Sequence, residues 1–240
     1  MTRIDGRQAD EPRKVQIVPG YLTFAEGSAL IDMGRTRVLC AVTVEDRVPP
    51  FLKGGGSGWI TAEYSMLPRA TLVRTARETA TRKPSGRTME IQRLIGRSLR
   101  AAIDLKVLGE RTLTVDCDVI QADGGTRTAA ITGSYVAVYH ALQQMRRSNR
   151  IASMPLQSAV SAISVGIVDK GLLLDLCYEE DFRAEADFNI VMTEKGDLVE
   201  VQGTAEGTPY SRSVLNQVLD LAQKGCRYLF EAQKQVIKTL

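Results

Sequence analysis

The sequence predicts an α+β protein in which a group of strands is followed by a long helix, and this order occurs twice. Short runs of branched and apolar residues, separated by turn signals, fill the first 60 residues and occur again between residues 158 and 202. Helical patterns follow each group, and the last one extends from residue 213 to the end. This repetition predicts one domain over residues 1–240, with packed halves at about 1–147 and 155–240.

Five strands are predicted before the first helix. The first four, at residues 15–18, 21–25, 28–33 and 37–44, are separated by short turns containing glycine and form a meander. Residues 54–58, GGGSG, are too rich in glycine for a regular element and predict a loop that is mobile or close to a ligand. A fifth strand at 59–67 ends before Pro68.

Helical and strand periods then alternate in the rest of the first half. Residues 87–108 form one predicted helix, with Gly109 at the position of a C-cap. Residues 112–120 alternate between apolar and polar side chains, which is typical of a half-buried strand. Residues 129–145 contain neither proline nor charge and predict a buried helix.

The second half is predicted to contain four strands and a C-terminal helix. The strands are at 158–168, 172–178, 188–192 and 198–202, with turns at 169–171 and 194–197. The acidic residues 179–187 join two of these strands as a loop, and the helix from residue 213 has a break at Gly225.

Composition excludes several classes of protein. Apolar content of 44% and charged content of 25% are ordinary for a globular protein, and no apolar run is long enough to span a membrane. The four cysteines are widely spaced, which predicts reduced core thiols and a cytoplasmic location. His140 is the only histidine and lies in the predicted buried helix, which argues against a zinc site or a Ser-His-Asp triad. Catalysis is therefore expected to use carboxylates, arginines or bound ions.

Residues 121–128, QADGGTRT, link the last strand of the first half to the buried helix and predict an anion site. Two glycines before a helix leave backbone N–H groups without partners beside the positive end of the helix dipole. Thr126 is placed to cap the helix and donate its hydroxyl, and Arg127 can add a bidentate guanidinium. A simple glycine turn at a helix entry is the alternative interpretation.

Basic residues are concentrated between positions 69 and 100. Nine arginines and lysines against two glutamates give this segment a net charge of +7 in a chain whose total is +3. Such a block indicates a polyanion or several phosphates as partner, although each arginine alone is equally typical of a solvated face. Arg87 differs from the others because it begins a helix and is therefore placed for an anion.

Two sets of carboxylates are candidates for binding a divalent cation. Asp187 opens an apolar strand at the end of the acidic run 179–187, so carboxylates on either side of that loop can converge on Mg²⁺. A solvated loop is the alternative for this run. Asp116 and Asp118, on one face of the strand that leads to the glycine loop, form the second-ranked set.

Six segments resemble the ribonuclease PH family of phosphate-dependent 3′-to-5′ exoribonucleases. They are DGR at 5–7, TAEYSMLPRAT at 61–71, GRT at 86–88, EIQRLIGR at 90–97, DCDVIQADGGTRT at 116–128 and QGTAEG at 202–207. The resemblance covers nearly the whole chain. It implies a ribosomal protein S5 domain 2-like fold with two βαβα-type halves, and no appended KH or S1 domain.

The resemblance also implies a function and a set of site residues. The function is trimming of the 3′ ends of tRNA precursors, and of other structured RNA such as rRNA, by a homohexamer built as a trimer of dimers. Nucleoside diphosphates are released and can be added back. The implied residues are Arg87, Gly125, Thr126 and Arg127 for phosphate, Asp181 and Asp187 for Mg²⁺ and catalysis, and Arg69, Arg74, Arg77, Arg93 and Arg97 for RNA.

Two other functions remain as alternatives at this point. A hydrolytic two-metal nuclease would use the carboxylates alone and would release nucleoside monophosphates independently of phosphate. A catalytically silent, RNA-binding ring subunit of an exosome-like assembly would release no nucleotide.

Overall fold

A five-stranded sheet forms the first half of the protein. The computed structural model describes residues 3–78 and 84–240. The strands are β1 (Val15–Pro19), β2 (Gly27–Met33), β3 (Thr36–Glu45), β4 (Trp59–Met66) and β5 (Thr112–Gln121), in the order β1-β2-β3-β5-β4. β4 and β5 are parallel and the other pairs are antiparallel.

The parallel pair requires a crossover, which is made by α1 (Gly86–Ala102) and α2 (Leu105–Leu108). The sequence predicted a single helix here, and this prediction is wrong at Ile103 and Asp104. Asp104 leaves the helical conformation, and its carboxylate accepts hydrogen bonds from the backbone N–H groups of Lys106 and Val107, so a new helix starts. Gly109 ends α2 with φ of 70°, as predicted.

The second half contains a four-stranded antiparallel sheet, and three further helices contact it in addition to α1. Its strands are β6 (Val160–Val168), β7 (Gly171–Leu174), β8 (Ala186–Thr193) and β9 (Leu198–Ala205), in the order β7-β6-β8-β9. The helices are α3 (Thr126–Arg147), α4 (Tyr178–Arg183) and α5 (Arg212–Ile237). The α+β fold class is therefore confirmed.

Helix α3 lies between the two sheets, and this position explains why residues 129–145 carry no charge. It contacts β2 and β3 on one side and β6 on the other. A side-chain carbon at Gly133 would lie 2.6 Å from Ile31, and one at Gly27 would lie 2.2 Å from the carbonyl oxygen of Ala137. Glycine at both positions lets the helix approach the first sheet closely, and one apolar core includes residues of both halves.

Four local predictions are wrong. Residues 21–25 are not a strand but a bent connection, in which the Ser28 hydroxyl accepts from the N–H of Leu22. The predicted strand 172–178 ends at Leu174 because Asp175 has φ of 55°. The acidic run begins with a helix, α4, rather than being a loop throughout. Helix α5 continues through Gly225, which is needed for close packing against Ile163.

The predicted turns, the glycine loop at 54–58 and the cysteines agree with the structure. Asp169, Lys170 and Gly196 have positive φ in the two turns. The N–H of Gly58 donates to Leu105, which anchors the 54–58 loop to α2. All four cysteines are free and buried. Within the described ranges, no helix has the length and apolar character needed to cross a membrane.

Candidate active site

The glycine loop is the central element of the candidate site. Gly124 and Gly125 have φ of 73° and 64°, a backbone conformation that other residues rarely adopt. Gly125 is the N-cap of α3, so the first N–H groups of this helix open toward the loop. The loop therefore has the helix-start geometry on which the predicted anion site depends.

Thr126 does not cap the helix, contrary to the prediction, because Gly125 occupies that position and Thr126 is already helical. The Thr126 hydroxyl instead accepts a hydrogen bond of 2.8 Å from the Tyr64 phenol on β4. An accepted bond leaves the hydroxyl hydrogen of Thr126 free to donate. Burial raises the pKa of Tyr64, so this phenol remains protonated and keeps donating at neutral pH.

The glycine loop packs directly on the turn that leads to α4. A side-chain carbon at Gly124 would lie 2.5 Å from the carbonyl oxygen of Leu176. The Asp123 carboxylate accepts a hydrogen bond of 3.2 Å from the N–H of Tyr178, the first residue of α4. Helix α4, which carries Asp181, is thereby held beside the start of α3.

A pocket of about 410 Å³ opens between the glycine loop, the first turn of α1, helix α4 and strand β8. It brings together five of the predicted site residues from four separate segments: Arg87, Gly125, Arg127, Asp181 and Asp187. The rest of its lining consists of Ser164, Phe182, Arg183, Ala184, Phe188, Asn189 and Glu206. Arginines and carboxylates thus face one another across an open, polar space.

Asp187 lies close enough to Asp181 to affect the ionisation of its carboxyl. Asp181 is exposed at the pocket, but the surrounding protein partly desolvates its carboxyl; this desolvation and then repulsion from Asp187 raise the pKa of Asp181, while Arg127 and Arg87 act in the opposite direction. Asn189 is also within reach, with its amide nitrogen 3.5 Å from Asp187. Two mutually repelling carboxylates in an open pocket are a suitable donor set for a hard divalent cation.

These two carboxylates do not form a complete metal cage. Among the described residues, no group of three or more His, Cys, Asp or Glu side chains is arranged to hold a metal ion. Mg²⁺ is commonly bound by one or two carboxylates together with waters and substrate phosphates. The residues present therefore fit Mg²⁺ that arrives with, or is completed by, a phosphate ligand.

Arg127 is held by side chains from β9 and α1. Its Nη1 donates to the amide oxygen of Gln202 at 3.2 Å, and the Glu90 carboxylate lies 4.0 Å away. Gln202 in turn donates to Glu90 at 3.1 Å and to Glu200 at 3.2 Å. The guanidinium is therefore oriented mainly by a neutral acceptor.

Arg87 reaches the pocket from the first turn of α1. Ser85 caps this helix, since its hydroxyl accepts a hydrogen bond from the N–H of Thr88. The Glu78 carboxylate accepts a second bond, from the hydroxyl of Thr88. These bonds fix the helix start and place Arg87 opposite Arg127 and Asp181.

The predicted RNA-binding arginines lie outside the pocket. Arg69, Arg74, Arg77 and Arg93 are exposed, and Arg97 forms a bidentate pair with Glu200 at 2.7 and 2.8 Å. Arg82 and Lys83, which belong to the same basic block, lie outside the described residues.

The second-ranked carboxylates and the histidine are not in the pocket. Asp116 and Asp118 are half-buried on β5, and burial raises the pKa of each. His140 is half-buried rather than buried, and its Nδ1 accepts from the N–H of Ser28. Neither position takes part in the arrangement around Arg127.

Sequence reasoning missed three contributors to the site, which are Tyr64, Gln202 and helix α4. Tyr64 and Gln202 were both inside segments that carried the family resemblance, but no local pattern assigned them a partner. Helix α4 had a detectable signal, because Glu180 follows the N-cap residue Cys177 by three positions and accepts a hydrogen bond from its N–H.

Comparison with known proteins shows the family of this chain. The family model "3′ exoribonuclease family, domain 1" matches residues 11–143, and the model for domain 2 matches residues 158–225. Ribonuclease PH of Bacillus pumilus is 59% identical over 235 residues, covering 98% of this chain and 97% of the relative. Ribonuclease PH of Dehalococcoides mccartyi is 56% identical over 236 residues, covering 98% of both.

Solved structures show the same fold. An Archaeoglobus fulgidus exosome structure matches with a TM-score of 0.80 and 25% identity, over 95% of this chain and 91% of that one. Rice Rrp46 matches with a TM-score of 0.79 and 18% identity, over 98% of this chain and 100% of that one. The chain therefore belongs to the RNase PH family of 3′ exoribonucleases.

Proposed function

We propose that this phosphorolytic 3′-to-5′ exoribonuclease binds both of its substrates in the pocket between the glycine loop and α4. Inorganic phosphate is the second substrate. It occupies the glycine loop, and the 3′-terminal phosphodiester of the RNA lies beside it. The single observation that carries this assignment is the meeting of Arg87, Gly125 and Arg127 with Asp181 and Asp187 in one pocket.

The phosphate is held by groups that converge from α1 and α3. The guanidinium groups of Arg87 and Arg127 supply charge-assisted hydrogen bonds, and the Gly125 loop supplies backbone N–H groups at the helix N-terminus. Thr126 donates its hydroxyl, since Tyr64 donates to the oxygen of that group. This set orients one phosphate oxygen toward the RNA.

The reaction exchanges a phosphodiester bond of the RNA for the phosphoanhydride bond of a nucleoside diphosphate. An oxygen of inorganic phosphate attacks the terminal phosphorus, the bond to the 3′ oxygen of the penultimate nucleotide breaks, and that oxygen gains a proton. The products are a nucleoside 5′-diphosphate and an RNA shortened by one residue. The bond broken and the bond formed are similar in energy, so the reverse addition of nucleotides from diphosphates also proceeds.

Catalysis depends mainly on positioning and on charge. Arg127 and Arg87 oppose the negative charge of two phosphates brought together in the pocket. Asp181 and Asp187 are the residues that would hold Mg²⁺, which supplies neutralisation of charge on the scissile phosphate when bound. Phosphate replaces water as the nucleophile, so no histidine is needed as a general base, and His140 can lie outside the pocket.

Precursors of tRNA, and structured RNA such as rRNA, are the proposed substrates. Arg69, Arg74 and Arg77 contact the RNA backbone, with Arg93 and Arg97 nearer the reacting end. Support comes from their exposure and from the Archaeoglobus fulgidus exosome, which was solved with RNA bound to the active site. The four free thiols favour a cytoplasmic location, where thiols remain reduced.

The assembly is proposed to be a homohexamer, a trimer of dimers. The family resemblance implies it, and a group of exposed apolar side chains between β1 and β2 supports a subunit contact. Phe24 is 100% exposed and Tyr21 is 52% exposed, which is unfavourable for a surface that remains in water. Light scattering that gives only the monomer mass of 26.3 kDa would refute the assembly.

One experiment tests the function. Purified protein is incubated with a short RNA and Mg²⁺, with and without inorganic phosphate, and the nucleotides are separated by chromatography. Diphosphates that form only with phosphate are the expected result. Monophosphates formed independently of phosphate would indicate the hydrolytic nuclease, and no released nucleotide would indicate a silent RNA-binding subunit.

A further inference from the structure

Arg13 and Asp175 form a fully buried ion pair behind the candidate active site. Arg13 is 4% exposed and Asp175 is 0% exposed. The guanidinium donates from Nη2 to Asp175 Oδ1 at 2.7 Å and from Nε to Oδ2 at 3.0 Å. The backbone N–H of Arg13 adds a third bond, of 2.8 Å, to Oδ2. The pair therefore has the bidentate geometry in which a buried charge pair is best satisfied.

The free side of the same guanidinium holds the glycine loop. Nη1 of Arg13 donates to the carbonyl oxygen of Asp123 at 2.5 Å and lies 3.4 Å from that of Gly124. Thr36 supports the loop from the same side, since its hydroxyl donates to the Gly124 oxygen at 2.6 Å and accepts from the Asp123 N–H at 3.0 Å. A side-chain carbon at Gly125 would lie 2.8 Å from Nη2 of Arg13.

Asp175 belongs to the segment that leads into α4. Its φ of 55° turns the chain away from β7, and its N–H donates to the Ser164 carbonyl at 2.7 Å. The hydroxyl of Ser164 accepts from the next N–H, that of Leu176, at 3.1 Å. The conformation of this turn sets the direction in which α4, and with it Asp181, enters the pocket.

Arg13 thus joins the two sides of the pocket, one carrying the phosphate-binding loop and the other carrying Asp181. We propose that Arg13 and Asp175 are a positioning pair that sets the separation between the phosphate in the glycine loop and the carboxylate of Asp181. Neither residue touches the substrate. The inference rests on the proposed roles of the glycine loop and Asp181.

A purely structural role would look different. Burial of two charges is costly, and an apolar pair of similar volume commonly stabilises a core as well or better. The remaining hydrogen-bond donors of Arg13 bind carbonyl groups of the glycine loop, and an ion pair that only filled the core would make no such contacts. Arg13 also contributes to the electrostatic surroundings of Asp181.

The test compares Arg13→Lys with Leu229→Ala, a control in the buried part of α5 that loosens packing away from the pocket. Lysine keeps the charge but cannot bind Asp175 and the loop carbonyls together. We expect Arg13→Lys to raise the KM for phosphate and to lower kcat/KM for phosphate by about 100-fold, the scale for a misplaced reacting group, with unchanged KM for RNA. Leu229→Ala should lower Tm but keep the phosphate KM within about twofold of wild type.

Thr36→Val provides a second variant because it removes a neutral contact to the same loop and keeps the ion pair. Thr36→Val should also raise the KM for phosphate, by a smaller factor than Arg13→Lys. If Arg13→Lys does not fold, the phosphate KM of Thr36→Val is the measurement that tests the proposal. A wild-type phosphate KM in the folded variants would overturn the positioning role alone. Wild-type protein that releases no diphosphate would instead overturn the proposed function.

Discussion

Arg127 is hydrogen-bonded to a neutral amide, the side chain of Gln202, at 3.2 Å, although the Glu90 carboxylate lies only 4.0 Å from the same nitrogen. A neutral acceptor orients the guanidinium without cancelling its charge. The arginine is therefore held in place while its charge remains available to an anion in the pocket.

Gln202→Glu is expected to raise the KM for phosphate by about tenfold, because a carboxylate at this position forms a charge-assisted bond with Arg127 and competes with phosphate. The measurement is initial rate against phosphate concentration on a short RNA. Gln202→Ala, which removes the acceptor without adding charge, is the control and should have a smaller effect. Equal KM values for the two variants would contradict the competition.

Arg127→Ala removes one preorganised hydrogen-bond donor and should lower kcat/KM. The decrease should correspond to a loss of about 2–4 kcal/mol of transition-state stabilisation. The rate of diphosphate release, measured in single-turnover assays, reports the change. Arg37→Ala is the matched control, since Arg37 is exposed and paired with Asp32 on the neighbouring strand of the first sheet. Near wild-type phosphorolysis by Arg127→Ala would remove Arg127 from the mechanism.

Asp181→Asn should weaken the binding of Mg²⁺ while leaving the fold intact. Addition of Mg²⁺ and phosphate to the wild-type protein is expected to raise Tm, since a ligand that binds only the folded state stabilises it. The increase should be much smaller in Asp181→Asn. Glu185→Gln serves as the control, because it removes an exposed carboxylate directly before β8. An identical shift in wild type and Asp181→Asn would exclude Asp181 as a ligand.

RNA affinity is expected to fall steeply with salt, because the exposed arginines displace counterions from the phosphate backbone. Replacing Arg69, Arg74 and Arg77 with alanine should reduce the slope of log K against log salt by about 2, at roughly 0.7 for each lost contact. Fluorescence anisotropy with a labelled tRNA precursor measures this slope. A slope that is unchanged by the triple substitution would place the RNA path elsewhere.

Asp175 should contribute stability at neutral pH that is lost in acid. Burial acts to raise its pKa, but the charge and hydrogen bonds of Arg13 outweigh burial and hold the pKa below its ordinary value. A lowered folded-state pKa means that the stabilisation is present above about pH 4 and disappears as the pH falls through the folded-state pKa.

Urea unfolding followed by circular dichroism measures this effect. Asp175→Asn is expected to be less stable than wild type by about 3 kcal/mol at pH 7, because it leaves Arg13 buried without its partner. The difference should shrink as the pH is lowered below about 4. Since both halves share one core, each curve should show one transition. A difference that is constant with pH would contradict the charge pairing.

The sequence by itself determined the α+β class, most strands, the buried helix α3 and the glycine loop at its start. These features depend on neighbours along the chain. Alternation from Leu113 to Val119 reports which side chains of a strand are buried, and two glycines before a helix leave N–H groups free wherever they occur. The pattern failed at Asp104 and at residues 21–25, where hydrogen bonds between a side chain and the backbone ended or replaced a regular element.

Only the tertiary structure decided how the site is assembled. Arg87, Arg127, Asp181 and Asp187 come from α1, α3, α4 and β8, and no local pattern states that these elements meet. The same holds for Tyr64 on Thr126, Gln202 on Arg127 and Arg13 on Asp175, which join residues 62 to 162 positions apart. Hydrogen bonds between distant side chains depend on the packing of α3 between two sheets, and that packing is a property of the whole core.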